Sequence, residues 1–163
     1  PTRPSERRTR MRTLAEYLPE HPFFAELDPR ITDLMVGCAQ NVHFSPGETL
    51  FRTGEPADTF YVIRHGQVAL DLHDPQRGAL VIATLGEGEV VGWSWLVPPY
   101  RWVFDAHATG QVSAVALDGA CLRGKCAQDP ALGYALLQRV ARVMYERLQD
   151  ARVRLLDVYG GTS

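Results

Sequence analysis

"FSPGETLFRTGEPADTFYVIRHGQVAL", residues 44–70, reads as a series of short strands separated by tight corners. Pro46-Gly47, Gly54-Glu55-Pro56 and His65-Gly66 are turn formers. Between and after them, "TLFR", "TFYVIRHG" and "QVALDLH" are rich in Thr, Phe, Tyr and Val, which suit a pleated, half-buried surface. Each glycine stands where a tight corner needs positive φ or a close backbone approach.

The same rhythm extends outward. "NVHF" precedes the stretch, and "ALVIATL", "EVVGW", "WVFDAHA" and "VSAVAL" follow it, punctuated by Asp74-Pro75, Gly86-Glu87-Gly88 and Gly110-Gln111. Eight short strands over residues 41–117 predict a sandwich, barrel or jelly roll. Helices do not alternate with these strands, which excludes a parallel α/β sheet.

Helical periodicity flanks the β region on both sides. Over residues 13–40, Leu14, Tyr17 and Leu18 share a face before Pro19, and Pro22 opens "PFFAEL". "DPRITDLMVGCAQ" predicts a helix with Asp28 as N-cap and Pro29 at its first position; Ile31, Leu34, Met35 and Cys38 face the core. Over residues 118–160, "DGACLRGKC" is a short helix or turn. Asp129 then caps a long helix with Pro130 at its first position and Gly160-Gly161 past its end. The expected fold class is mainly β with flanking helices.

On the long helix, Leu137, Ala141, Met144, Leu148, Ala151, Leu155 and Val158 recur at alternating gaps of four and three, a heptad seam. Leu136, Val140 and Val143 form a second stripe over its first half. Two apolar stripes imply two partners: the β region near the helix start and, along the seam, a second copy of the chain. A homodimer through this helix is the expectation.

"GWSWLVPPYRW", residues 92–102, holds every tryptophan of the chain together with Pro98-Pro99 and Arg101. A plain core strand would not tolerate the prolines and would have no use for the arginine. The stretch is either a binding site or a plugged one.

Composition sets further bounds. The hydrophobic fraction of 45% and charged fraction of 22% are those of an ordinary globular chain. A net charge of −2 argues against general nucleic-acid binding, although Arg3, Arg7, Arg8, Arg10 and Arg12 face only Glu6 in residues 1–12. That basic tail reads as a solvated arm. No run approaches the ~18 apolar residues of a membrane span, and no secretion signal follows the basic start. Cys38, Cys121 and Cys126 match no CxxC spacing, so a reducing cytoplasm and a buried or incidental role are expected for all three.

These residues resemble the cyclic-nucleotide-binding domain family, the sensory module of catabolite-activator-like bacterial regulators, kinase regulatory subunits and gated channels. The resemblance rests on "PFFAEL" (22–27), residues 44–70, the Gly92 loop and "ALDGACL", and it runs over residues 14–158. It implies an eight-stranded β-roll, or double-stranded jelly roll, flanked by helices. In the family, a Gly-Glu-Leu loop and a following arginine hold the nucleotide: the glutamate accepts from the ribose 2′-hydroxyl and the arginine pairs with the cyclic phosphate.

Here the phosphate cassette diverges. Gly92 matches the glycine, but Trp93 stands in place of the glutamate and Ser94 in place of the leucine. Arg101 sits closer to Ala106 than the pattern asks. Trp93 offers one N–H donor and no acceptor, so a buried ribose hydroxyl would lose a partner worth roughly 1–3 kcal/mol. Gly92, Trp93, Ser94, Arg101 and Trp102 are the candidate ligand residues, with Ser94 able to start a short helix whose N–H groups face an anion.

Two readings stay open, an altered ligand site and a pocket filled by its own tryptophans. The expected function is a noncatalytic regulatory domain in which cyclic AMP or cyclic GMP binding is weak, altered in favour of another small anionic ligand, or absent. The family's transcription factors follow this helix with a DNA-binding helix-turn-helix. The chain stops at Ser163, so no DNA-binding domain is expected within it, and a transcription regulator lacking that part is an alternative. A haem sensor on the same fold would draw on His21, His43, His65, His73 and His107, which form no clustered motif. An enzyme on a cupin-like roll would need grouped histidines that "NVHF" and "FDAHA" do not supply, and no metal site is expected.

Overall fold

Strand corners and helix caps organise residues 13–160, the part that the computed structural model describes. One antiparallel sheet runs β1 (Ala39–Phe44), β8 (Val112–Asp118), β3 (Thr59–His65), β6 (Val90–Val91). The other runs β2 (Thr49–Phe51), β7 (Asp105–Ala108), β4 (Val68–Asp74), β5 (Gly78–Leu85). Non-consecutive strands pair in both sheets, as in a jelly roll, and all eight expected strands are present. Gly66 turns β3 into β4 at φ 91°, where a Cβ would come within 2.2 Å of the Gln111 carbonyl oxygen. No other residue fits that corner.

Helices close the open ends of the roll. A capping box between Thr13 and Glu16 starts α1 (Leu14–Tyr17), a 3-10 turn follows over Leu18–Glu20, and the Asp28 carboxylate accepts from the Arg30 N–H at 2.9 Å to start α2 (Pro29–Val36). "PFFAEL" forms turns rather than a helix, and it buries Phe23 and Phe24. The helical boundary moves inward: α2 ends at Val36, before Gly37, and Ala39 and Gln40 pair with Leu117 and Ala116. Strand pairing along the open edge of β8 overrides local helix periodicity here.

Asp118 caps α3 (Gly119–Gln128), and the Asp129 carboxylate accepts from Ala131 and Leu132 to start α4 (Pro130–Gly160). Gly160 is the last helical residue rather than lying past the end, while Gly161 and the basic tail fall outside the described residues. Leu132, Leu136 and Val140 bury the first half of α4, and they join one core continuous with both sheets.

The cysteine expectation is corrected. Cys38 and Cys121 form a disulfide across a sequence separation of 83, and Cys126 is free and half-buried. Spacing rules read local motifs. This pair is made by the β1–β8 ladder, which aligns Ala39 with Leu117 and sets Cys38 beside Asp118, the cap of α3, whose first turn carries Cys121.

His21 is buried between Tyr17 and Phe24, and its Nδ1 accepts from the Phe23 N–H at 3.1 Å. Burial lowers its pKa to about 4, opposed in part by the Ile63 backbone, to which Nε2 closes no hydrogen bond of normal geometry. The imidazole is therefore neutral in the folded state. Stability from this group is full above the ordinary value of 6.5 and is lost as pH falls toward 4, because only the unfolded chain takes up the proton in that window. Between pH 7 and pH 5 the loss should be about 2 kcal/mol. Urea melts of wild type and His21→Gln at both pH values check this; equal pH dependence in the two proteins would remove His21 as the cause.

Candidate functional site

The loop from Gly92 to Trp102 is stitched to the corner after β2. Trp102 N–H donates to Glu55 O at 3.0 Å, Ala57 N–H to Tyr100 O at 2.7 Å, and Arg101 forms an antiparallel bridge with Pro56. Extended backbone alternates its side chains. Trp102 turns inward and stacks on Phe51 with ring centroids 3.6 Å apart, so Arg101 turns outward. Its guanidinium is exposed and donates to Gly54 O at 2.9 Å.

Gly92, at φ 74°, lets Trp102 close in, since a Cβ there would meet its ring at 2.5 Å. Ser94 is buried, yet it begins a single turn closed by the Leu96 N–H to Trp93 O rather than a short helix. Pro98 and Pro99 lack the N–H groups a helix would need next, and each disfavours helical backbone in the residue before it. Trp95 is fully buried against Phe60, and the Arg123 guanidinium of α3 donates to its carbonyl oxygen at 2.6 Å. Trp93 alone of the three tryptophans stays half-exposed.

Trp93 borders a cavity of about 640 Å³ between the roll and α4. Leu70, Ile82, Ala83 and Leu85 line it from the sheet, Phe104 from the bend before β7, and Ala151, Leu155 and Val158 from the helix. Charge is gathered at Arg147, Arg154, Glu89 and Asp150. Arg147 lies over the Trp93 ring, 5.3 Å from its centroid, and donates through Nη2 to Val90 O; Arg154 donates to Ile82 O. The Arg147 Nη1 is buried without a hydrogen-bond partner. Burial lowers the Arg147 pKa, opposed by the carboxylates of Glu89, Asp150 and Glu146.

The cavity thus contains Trp93 from the residues expected in a ligand site, whereas Gly92, Ser94, Arg101 and Trp102 do not line it. Of the seam residues, Leu137, Met144, Leu148, Leu155 and Val158 are exposed large hydrophobics, and Ala141 and Ala151 are exposed beside them.

Sequence reasoning missed Arg147, Arg154 and Glu89. A signal existed: Val140, Arg147 and Arg154 recur every seven residues beside the heptad seam, which places two cations on the helix face turned toward the roll. Among the described residues, no three His, Cys, Asp or Glu side chains converge as a metal ion needs, and His107 pairs with Asp71 at 2.7 Å. No described helix is long and apolar enough to cross a membrane.

Comparison with known proteins places this arrangement. Residues 41–129 match the cyclic nucleotide-binding domain model. A CRP-like cAMP-activated global transcriptional regulator of Mycobacterium tuberculosis is 27% identical over 143 residues, which cover 88% of this chain and 62% of that protein. The N-terminal domain of a transcriptional regulator from Streptomyces coelicolor A3(2) superposes with a TM-score of 0.65 at 30% identity, over 83% of this chain and 94% of that one. A cyclic nucleotide-binding domain from Methylobacillus flagellatus KT shares the fold, with a TM-score of 0.74 at 20% identity over 88% and 81% of the two chains. The family model spans more than half of the chain, and with the two-sheet roll and its C-terminal helix it shows that the chain belongs to the cyclic nucleotide-binding domain family.

Proposed function

We propose that this chain is a noncatalytic, ligand-sensing regulatory domain of the cytoplasm. In this reading it takes a small anionic ligand in the cavity between β5, Trp93 and α4, binds cyclic AMP and cyclic GMP weakly, and dimerises through the α4 seam. One observation carries the ligand reading: the Arg147 guanidinium has a buried, partnerless Nη1 beside Trp93 at the cavity wall. An unmade hydrogen bond from a buried donor costs about 1–3 kcal/mol, and an anion supplies the missing acceptor. Trp93 offers a ring face for stacking and no acceptor for a ribose hydroxyl. Hence the expectation of weak nucleotide binding.

Calorimetric titration with cyclic AMP and cyclic GMP tests this reading, with thermal stabilisation by inorganic phosphate as a second arm. Affinity should lie in the high-micromolar range or weaker. Arg147→Gln should weaken whatever anion binds by about 10- to 100-fold, the loss of one charge-assisted hydrogen bond. Arg101→Ala should leave binding unchanged, because its guanidinium is held by Gly54 outside the cavity. Submicromolar cyclic AMP affinity would overturn the weak-binding reading, and an Arg147→Gln protein that binds like wild type would overturn the site.

Two of these relatives, the Mycobacterium tuberculosis protein and the Streptomyces coelicolor domain, favour a second reading. They are transcriptional regulators, and the chain spans 62% of the length of the Mycobacterium tuberculosis protein. The domain would then serve as the sensory part of such a regulator.

A further inference from the structure

We propose that the Cys38–Cys121 bond is a site of reversible exchange with low-molecular-weight thiols, and that its redox state sets how firmly α3 is tied to the junction of α2 and β1. The site is built for access. A cavity of about 380 Å³, lined by both cysteines together with Gln40, Thr59 and Asp118, opens beside the bond. Cys38 is buried, and Cys121 is half-buried in the first turn of α3.

A small thiolate therefore attacks the Cys121 sulfur. The protein S–S bond breaks, a mixed disulfide forms on Cys121, and Cys38 leaves as a thiolate that takes a proton from water. A second thiol attacks the mixed disulfide and releases the Cys121 thiolate and a small-molecule disulfide. Oxidation is the reverse, with that disulfide as the oxidant. In a cytoplasmic protein such bonds are usually transient, catalytic or redox-sensing rather than permanent staples.

The bond has mechanical leverage because it is the covalent tie of a helix that buries few of its own side chains. Only Gly119 and Leu122 of α3 are buried. Its other ties to the junction of α2 and β1 are Lys125 Nζ, which donates to Leu34 O at 2.5 Å, the Arg30–Asp129 ion pair at 3.5 Å, and the Asp118 N–H, which donates to Cys38 O at 2.8 Å. On its other side, Arg123 donates to Trp95 O and lies 4.3 Å from the Tyr100 ring centroid, and α3 leads directly into α4. A change at Cys121 thus reaches the tryptophan loop and the root of α4. Cys126, on the same helix, has its thiol pKa raised by burial and by Asp129, so it stays protonated and serves as the control. The proposal stands whether or not an anion binds beside Arg147.

The test equilibrates the protein, purified without reductant, in a series of reduced-to-oxidised glutathione buffers. Alkylation and peptide mass mapping give the fraction of Cys38–Cys121 bonded; melting temperature and tryptophan emission give the response. The bond should titrate reversibly, and reduction should lower the melting temperature by roughly 10 °C, as opening a loop of this length implies. It should also shift the emission of the tryptophan loop. Cys126→Ser should behave as wild type, and Cys38→Ala/Cys121→Ala should melt like reduced wild type and ignore glutathione. If the double variant does not fold, reduced wild type and Cys126→Ser still decide the matter. Two free thiols in oxidised glutathione, a bond that survives excess reduced glutathione in the native state, or a reduction that moves neither melting nor emission would each overturn the proposal.

Discussion

Replacing Leu148 and Leu155 together with glutamate should yield a folded monomer, with the mass by light scattering falling from twice the 18.2 kDa chain mass to that mass itself. In the isolated chain these leucines are 50% and 56% exposed, and no residue of α4 after Val140 is buried. That leaves roughly 30 Å of amphipathic helix with no buried apolar side chain, although Arg147 and Arg154 reach back to the roll. Covering the exposed half of each large seam side chain is worth about 1 kcal/mol. Leu137, Met144, Leu148, Leu155 and Val158, counted on two helices, give on the order of 10 kcal/mol before association costs. Ala141 and Ala151 let two helices approach closely. The double substitution deletes the seam's middle and sets like charges across a two-fold axis, where they repel. Because both positions are exposed, circular dichroism should still report an intact roll. A mass unchanged by the substitutions would refute the seam as an interface.

Trp95→Ala should destabilise the fold by about 3–5 kcal/mol, the range for emptying a buried aromatic site. Trp95 is fully buried, packs on Phe60 at 5.1 Å between ring centroids, and anchors the loop that Arg123 also holds. Its indole N–H is buried without a partner. Trp95→Phe keeps most of the packing and removes that donor, whose desolvation costs about 1–3 kcal/mol, so the net loss should be less than half that of the alanine change. Trp93→Ala, at a half-exposed position, should cost about 1 kcal/mol. Urea melts with unchanged slope measure all three. A loss below about 1 kcal/mol for Trp95→Ala would show that the loop is not part of the core.

These two experiments test roles that look alike in the sequence. The heptad seam was legible because its side chains obey one period along one helix, and the outward exposure of Leu148 and Leu155 follows from the inward placement of Leu136 and Val140. The tryptophans were not separable. Trp95 and Trp102 enter the core while Trp93 borders the cavity; the inward turn of Trp102 depends on the pairing of Arg101 with Pro56, forty-five positions away, and that of Trp95 on Phe60 and Arg123. Arg147 escaped notice for a related reason. On a helix wheel it is one more charged flank residue, and only docking of α4 on β6 brings its guanidinium to Val90 and Trp93.

Sequence alone determined the eight strands, their corners at Gly47, Gly54 and Gly66, the capped helices and the family, because alternation, caps and positive φ act over a few residues and leave a local trace. Tertiary structure alone decided three things: that the outward face of the tryptophan loop takes Arg101, that Arg147 brings a buried, partnerless donor to the cavity, and that Cys38 meets Cys121. Each depends on register between elements distant in the chain, as in the β1–β8 ladder that closes the disulfide. Register is set by which faces bury together, a property of the assembled sheets that no short window of residues contains.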